Sequence, residues 1–362
     1  MTSRQEANGT WTSQFRYEDA YGRSRSKCKR GFAAEADADR FERHFKARES
    51  KSLDISFLDF IELYEDDVAP QLKENTWRTK EYIINDKLVP FFGPMIMTEV
   101  TTLDAVRWQN ALLKGNPRTG RPYTDTYLRT VNNQAVSIFN HAERFYKLKP
   151  NPFKRAPRIG SKIATDMSIW TKEDFLRFSS TLTGRPIYFM AFELLYWAGI
   201  RVGELLALVP DDFDLRRSEL RITKSYQRIN RRDVITDPKT ENSVRTISLP
   251  EFLRDEVRDF AFDPPGFDHD ERMFAGLTKA SLSAALREGA QACGLQVIRV
   301  HDLRHSHVSL LVEMGFSVIA IAERLGHDST DITLKYAHLL PSTQQKMGEA
   351  LNDYQEADDE LF

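Results

Sequence analysis

Residues 301–336 read HDLRHSHVSLLVEMGFSVIAIAERLGHDSTDITLKY, and the organisation of the chain is read outward from this stretch. His301 and Arg304 stand three residues apart, so a helix puts both on one face. Val318, Ile321, Ala322 and Leu325 recur at helical spacing, with Gly326 placed as their C-terminal cap. Asp328 or Ser329 can then cap a further helix that carries Tyr336, leaving His327 in the tight turn between. Histidines, a guanidinium and a phenol are poor core material, so their placement among apolar runs points to a site.

Upstream, Ala280 to Ala292 is another helix with Gly294 near its end. Glu219 to Leu249 switches to strand-like alternation in ELRITKSYQ, DVITDPK and VRTISL, and Thr240 to Ser243 reads as a polar turn between the last two. Lys239 thus ends a hairpin strand, from which a flexible ammonium can swing toward a phosphate; Lys224 is the rival. Ile187 to Leu208, IYFMAFELLYWAGIRVGELLAL, is strongly apolar. Gly199 interrupts it, Arg201 is a permanent cation where two helical runs meet, and Glu204 lies one turn on as a buttress. Asp212 and Asp214 are placed to close a turn.

Three chemistries compete for these residues. A metal site would use His301, His305 and His307, but His307 points away from the other two and no acid or cysteine completes the set. A cluster of satisfied core histidines is the second. Phosphoryl transfer is the third: two guanidiniums hold non-bridging oxygens, a lysine and histidines move protons, and a tyrosine attacks. Only the third uses every member.

A chain of 362 residues suggests two or three domains. Residues 1–50 read as strands and one helix: Trp11, Phe15, Tyr17 and Phe32 alternate with polar residues, and Phe41 and Phe45 lie four apart between Ala33 and Lys46. Tyr21 to Arg30, YGRSRSKCKR, has five bases and no acid, so Arg23, Arg25, Lys27, Lys29 and Arg30 would stand near one turn, suited to phosphate contact. Arg48 to Leu53 is a polar break. Residues 54–150 hold four amphipathic helices, an all-α module. Leu148 to Ile163, LKPNPFKRAPRIGSKI, is rich in proline and bases and reads as a linker, with Lys154 and Arg155 able to strap a phosphate backbone. The unit spanning 165–345 opens at an N-cap, Thr171 with Glu173 or Asp174. Residues 346–362 form an acidic tail: the last fourteen residues hold six of the 53 acids and no base. The formal net charge of -2 therefore conceals a basic body of 51 bases against 47 acids.

Arg201 in AGIRVGELLAL, Lys239 in PKTENSVRTISL, HDLR at His301 to Arg304, LGH ending at His327 and Tyr336 in TLKYAH together resemble, in order and spacing, the active-site boxes of the tyrosine recombinases. The all-α module resembles that family's core-binding domain. The N-terminal unit with KRGF resembles the arm-binding domain of integrases from phages and conjugative transposons. The resemblance implies a multidomain, mainly α protein with α+β parts: a three-stranded sheet plus helix, an all-α domain, and a mixed α/β catalytic domain.

It further implies that Tyr336 attacks a scissile phosphate to give a 3′-phosphotyrosyl bond. Arg201 and Arg304 would stabilise the transition state, Lys239 protonate the 5′-oxygen, His301 act in acid/base transfer and His327 donate to a non-bridging oxygen. Strand exchange through a Holliday junction would take four protomers and neither metal nor cofactor, integrating and excising a mobile element. The implied partner is double-stranded DNA at core-type and arm-type sites, with an excisionase or DNA-bending protein left open. His305 and His307 are assigned to packing or DNA contact. Leu340, Met347, Leu351 and Tyr354 could dock on a neighbouring protomer, the alternative being a frayed end.

Two other readings remain: a non-cutting DNA-binding regulator, which would have no need of Tyr336, and a chromosome-dimer resolvase, for which the basic sheet is superfluous. No apolar run approaches the ~20 residues of a membrane span, the N-terminus lacks a signal peptide, and Cys28 and Cys293 match no metal spacing. A cytoplasmic, nucleoid-associated protein of a bacterial host is expected.

Overall fold

The computed structural model describes residues 3–18, 22–50, 53–161, 168–229, 232–237, 241–262 and 267–326, with positions 348 and 351. The chain forms two compact units, residues 1–165 and 166–362.

In the first unit, β1 (Ser3–Gln5), β2 (Trp11–Glu18) and β3 (Ser24–Phe32) form an antiparallel sheet in that order. Its side chains alternate between two faces. Phe15, 3% exposed, seals one face against Phe41 and Phe45 of α1 (Glu35–Ser50), with ring centroids 6.1 and 5.5 Å away. The helix runs past the polar break expected at Arg48, because its last turns find partners on α2 (Phe57–Val68). Arg40 pairs with Glu62 at 3.6 Å, Arg43 with Asp59 at 3.2 Å and Arg48 with Asp66 at 2.7 Å.

Ser56 caps α2 by accepting from the Asp59 N–H. It is followed by α3 (Glu74–Ile83), a π-helical turn over residues 84–88, α4 (Val89–Phe92), α5 (Thr102–Leu113) and α6 (Asp125–Tyr146), which enclose Phe57, Phe92, Trp108 and Phe139. The stretch read as a linker, 148–163, belongs largely to this unit. Leu148, Phe153 and Ile159 are buried in its core, and Gln109 Nε2 donates to the Pro157 carbonyl at 2.8 Å. Gly160, at φ +72°, passes so close to α6 that a Cβ would lie 2.3 Å from the Asp125 carbonyl oxygen. Apolar residues five and six apart follow neither helical nor strand period, so the docking leaves no periodic trace.

The second unit begins at Thr171, which with Asp174 makes a reciprocal capping box for α7 (Lys172–Ser179). Next come α8 (Pro186–Trp197), buried from Met190 through Tyr196, and the single turn α9 (Val202–Leu205). Strands β4 (Phe213–Asp214), β5 (Glu219–Ile222) and β8 (Arg245–Ser248) form one antiparallel sheet, and β6 (Ser225–Ile229) and β7 (Arg232–Thr236) a separate pair. The stretch read as one strand, ELRITKSYQ, is therefore two. The hairpin expected between DVITDPK and VRTISL is replaced by pairing of β8 with β5. Burial explains this: Leu220, Ile222 and Ile247 are needed in the core, whereas no residue of β7 is fully buried. Helices α10 (Glu251–Ala261), α11 (Lys279–Ala292), α12 (Asp302–Glu313) and α13 (Val318–Leu325) complete the unit. Among the described residues no helix is long and apolar enough to cross a membrane.

Candidate active site

Gly199 has φ +64°, a conformation that costs glycine little, and it turns the chain from α8 into α9. Arg201 is thereby the N-cap of α9. Its backbone N–H donates to Glu204 Oε2 at 2.9 Å, Nη1 to Glu204 Oε1 at 2.7 Å, and Nη2 to the Gly326 carbonyl at 3.1 Å. Glu204 is buried, which alone would raise its pKa. The hydrogen bonds and charges of Arg245 and Arg201 outweigh that and hold it below the usual carboxylate range.

Arg304 lies in the first turn of α12 and is 3% exposed. Its Nη1 donates to the Gly199 carbonyl at 2.7 Å and its Nη2 to the Leu325 carbonyl at 2.6 Å. Arg201 and Arg304, a hundred residues apart in sequence, thus converge on successive carbonyls at the end of α13. That end is capped by Gly326 at φ +62°. Arg201 keeps 36% of its side chain exposed, so it forms the open side of the cluster together with exposed His301.

His301 is placed by Asp302, whose carboxylate accepts the Arg299 backbone N–H at 2.8 Å and a two-pronged guanidinium contact from the same residue. The protein around the His301 ring, then Arg304 and, more weakly, Arg201, hold its pKa below the ordinary histidine value, against the pull of Asp302. These influences favour the neutral imidazole. His305 stacks edge-to-face on it at 4.9 Å, and burial with the neighbouring His301 pushes His305 down to about 4. His307 turns inward instead. Its ring packs on Gly199, where a Cβ would lie 2.4 Å from Cδ2, and its Nε2 accepts from Arg324 Nε at 3.2 Å. Burial, then Arg324 and Arg304, push His307 to about 3. A ring nitrogen that accepts from a guanidinium is not offered to a metal.

Lys239, His327 and Tyr336 lie outside the described residues, as do Leu340, Met347 and Tyr354. Lys224, the rival lysine, is committed to Asp212 at 2.9 Å. Arg245 carries no local signal in the sequence, being a single arginine at the start of a short strand.

The bases expected to contact DNA do not share one patch. Strand register places Lys27 opposite Phe15, Lys29 opposite Ser13 and Arg25 opposite Tyr17, on the face toward α1. There the Lys27 and Lys29 ammonium groups lie over Phe45 at 5.2 Å and Phe41 at 4.6 Å. Arg30 belongs to the opposite face, with exposed Gln14 and Arg16. Arg23 precedes β3 and is exposed. Lys154 pairs with Glu143 at 2.6 Å, and Arg155 beside it is exposed.

Three family profiles match the chain. The profile described as phage integrase family matches residues 173–343, that of the phage integrase N-terminal SAM-like domain residues 56–113, and that of an arm DNA-binding domain residues 2–48. The ICEBs1 integrase of Bacillus subtilis strain 168 is 31% identical over 328 residues, 85% of each chain. In fold, the chain resembles the Tn1549 transposon integrase in complex with circular intermediate DNA, with TM-score 0.65 and 17% identity over 82% of this chain and all of that one. It also resembles the lambda integrase tetramer bound to a Holliday junction, with TM-score 0.58 and 16% identity over 92% of this chain and 94% of that one.

Proposed function

The chain belongs to the phage integrase family of tyrosine recombinases and is a site-specific DNA recombinase, and from that premise we propose how its residues divide the work of cleaving and rejoining DNA. The Tyr336 oxygen attacks a scissile phosphorus. The new O–P bond forms as the bond to the 5′-oxygen breaks, leaving a 3′-phosphotyrosyl protein and a free 5′-hydroxyl. Neutral His301 accepts the tyrosine proton, and Lys239 returns one to the departing 5′-oxygen. Arg201, Arg304 and His327 donate to the non-bridging oxygens, whose charge grows in the transition state. Attack by another strand's 5′-hydroxyl reverses the chemistry, and two such exchanges pass through a Holliday junction in a tetramer, integrating or excising a mobile element.

The observation that carries this reading is the convergence of Arg201 and Arg304 on the Gly326 and Leu325 carbonyls, immediately before His327. A purely structural arginine cluster would have no reason to leave Arg201 partly open to solvent. A DNA-binding regulator would not need this arrangement.

Residues 54–150 grip core-type DNA, 165–345 cut it, and 1–50 bind arm-type sites. In that N-terminal sheet Arg30, Arg16 and Gln14 face the DNA, while Lys27 and Lys29 reach phosphates only from the edge. Arg23, Arg25, Lys154 and Arg155 add backbone contacts. An excisionase or DNA-bending protein would set the direction of recombination at the host nucleoid. The acidic tail, 346–362, packs on a neighbouring protomer.

A suicide substrate, nicked so that the cleaved strand diffuses away, tests the chemistry. Wild-type protein accumulates a covalent adduct, and Tyr336→Phe binds the same DNA without forming one. An adduct in the Phe variant would overturn the assignment.

A further inference from the structure

Arg245 is the third guanidinium at the end of α13, and unlike Arg201 it is enclosed. Its Nε donates to the Arg324 carbonyl at 2.9 Å, completing a run of three successive carbonyls, 324, 325 and 326, held by Arg245, Arg304 and Arg201 respectively. Those are carbonyls a helix leaves without internal partners, at its negative end, where cations are favoured. Arg245 also grips Glu204, with Nη2 2.8 Å from Oε2 and Nη1 3.2 Å from Oε1, and Nη1 donates again to the Ser243 carbonyl at 3.0 Å. Its side chain is 6% exposed against 36% for Arg201. Every nitrogen of the Arg245 guanidinium is committed to an acceptor within the protein, and two of them hold Glu204.

Glu204 therefore sits between two cations, one enclosed and one open. With Arg245 in place the carboxylate is already neutralised, and the charge of Arg201 remains available to a phosphate. Without it, Glu204 and Arg201 form a closed neutral pair, and an enclosed carboxylate with one partner holds that partner harder. The same loss would release the Arg324 carbonyl. Gly326 would also lose its neighbour, since a Cβ there would lie 3.1 Å from Arg245 Cδ and 2.6 Å from the Asn242 carbonyl oxygen. When Arg201 exchanges the Gly326 carbonyl for a phosphate oxygen, Arg245 is the contact that keeps this helix end in place.

We propose that Arg245 is a positioning residue for DNA cleavage: by neutralising Glu204 and holding the end of α13, it frees Arg201 to bind the scissile phosphate. The inference rests on the assignment of Arg201 to that phosphate.

The test measures core-site affinity and single-turnover suicide-substrate cleavage in full-length protein. Arg245→Gln is expected to bind DNA as wild type does but to cleave about 100-fold more slowly, the scale of loss seen when a catalytic group is misplaced. Adding Glu204→Gln, which retains an acceptor for the Arg201 N–H, removes the competing charge. The double variant is expected to regain about tenfold of the lost rate, a coupling that double-mutant cycles resolve. A merely structural role predicts a double variant no faster than the single. That result would overturn the proposal, as would unchanged cleavage by Arg245→Gln or a loss of DNA affinity matching the loss of rate.

If Arg245→Gln does not fold, Arg245→Lys takes its place, alone and with Glu204→Gln added. The lysine keeps one charge but cannot span both Glu204 and the Arg324 carbonyl, so its rate should fall below wild type and recover in part in the double variant; a rate equal to wild type, or no recovery, would overturn the proposal. Wild-type protein in the same assay separates the two levels: no covalent adduct there would sink the recombinase chemistry itself.

Discussion

At the residue scale, the two arginines we assign to the phosphate each already satisfy two acceptors. Arg201 joins Glu204 to the Gly326 carbonyl, and Arg304 joins the carbonyls of Gly199 and Leu325. A lysine supplies one point of charge and cannot bridge either pair. Arg201→Lys and Arg304→Lys are each expected to lose roughly 100-fold or more in single-turnover cleavage while still retarding core-site DNA in a gel. Wild-type rates in either variant would contradict the assignment.

His301 gives a pH signature. As the base it must be neutral, and its folded pKa lies below the ordinary 6.5. The second-order rate constant for cleavage, which reports the free enzyme, should hold as pH falls through 6.5 and decline only below it. An acid limb centred above 6.5 would exclude His301 as the base.

At the scale of elements, Gly199 locks the α8–α9 corner to α12. Its positive φ and the His307 ring, itself held by Arg324, both exclude a side chain. Gly199→Ala should destabilise the protein by roughly 2 kcal/mol or more in urea unfolding, and slow cleavage through the displaced Arg304. A buried group and a half-buried one oppose each other with pH. His307, about 3 when folded, refuses protons that the unfolded chain takes up below 6.5, so its contribution is full above 6.5 and lost as pH falls. Glu256 does the reverse. Burial, then Glu193, raise it to about 7, so stability is lost as pH rises from 4.5 through 7. Glu256→Gln should therefore melt a few degrees above wild type at pH 8 and show no such gain at pH 4.5.

The caps at Thr171 and Gly326 were legible in the sequence because capping is local: a hydroxyl or a glycine next to an apolar period suffices. So was the buttressing of Arg201 by Glu204, one turn on. The pairing of β8 with β5 was not, since it depends on which strand the core needs. Nor was the sorting of Lys27 and Lys29 from Arg30, which needs the register against β2. Arg245 became visible only when the end of α13, eighty residues later, was brought beside it.

At the scale of the whole molecule, recombination demands that protomers cut in coordinated pairs. Deleting the residues after Leu340 should preserve cleavage of a single site yet abolish synapsis of two, as native gels of paired-site complexes would resolve. Equal loss of both would place the tail in the folding of its own protomer.

The row of arginines that α1 lays along α2 has its own consequence for anyone shortening the protein. Arg40, Arg43 and Arg48 meet Glu62, Asp59 and Asp66 in a seam whose charges cancel. A variant that begins at residue 53 would bare three carboxylates as an acidic ridge on the helical module. Such a ridge repels the DNA backbone and is masked by added salt. Weakened DNA affinity in a truncated protein would then measure an artificial surface, and would overstate what the missing sheet had contributed.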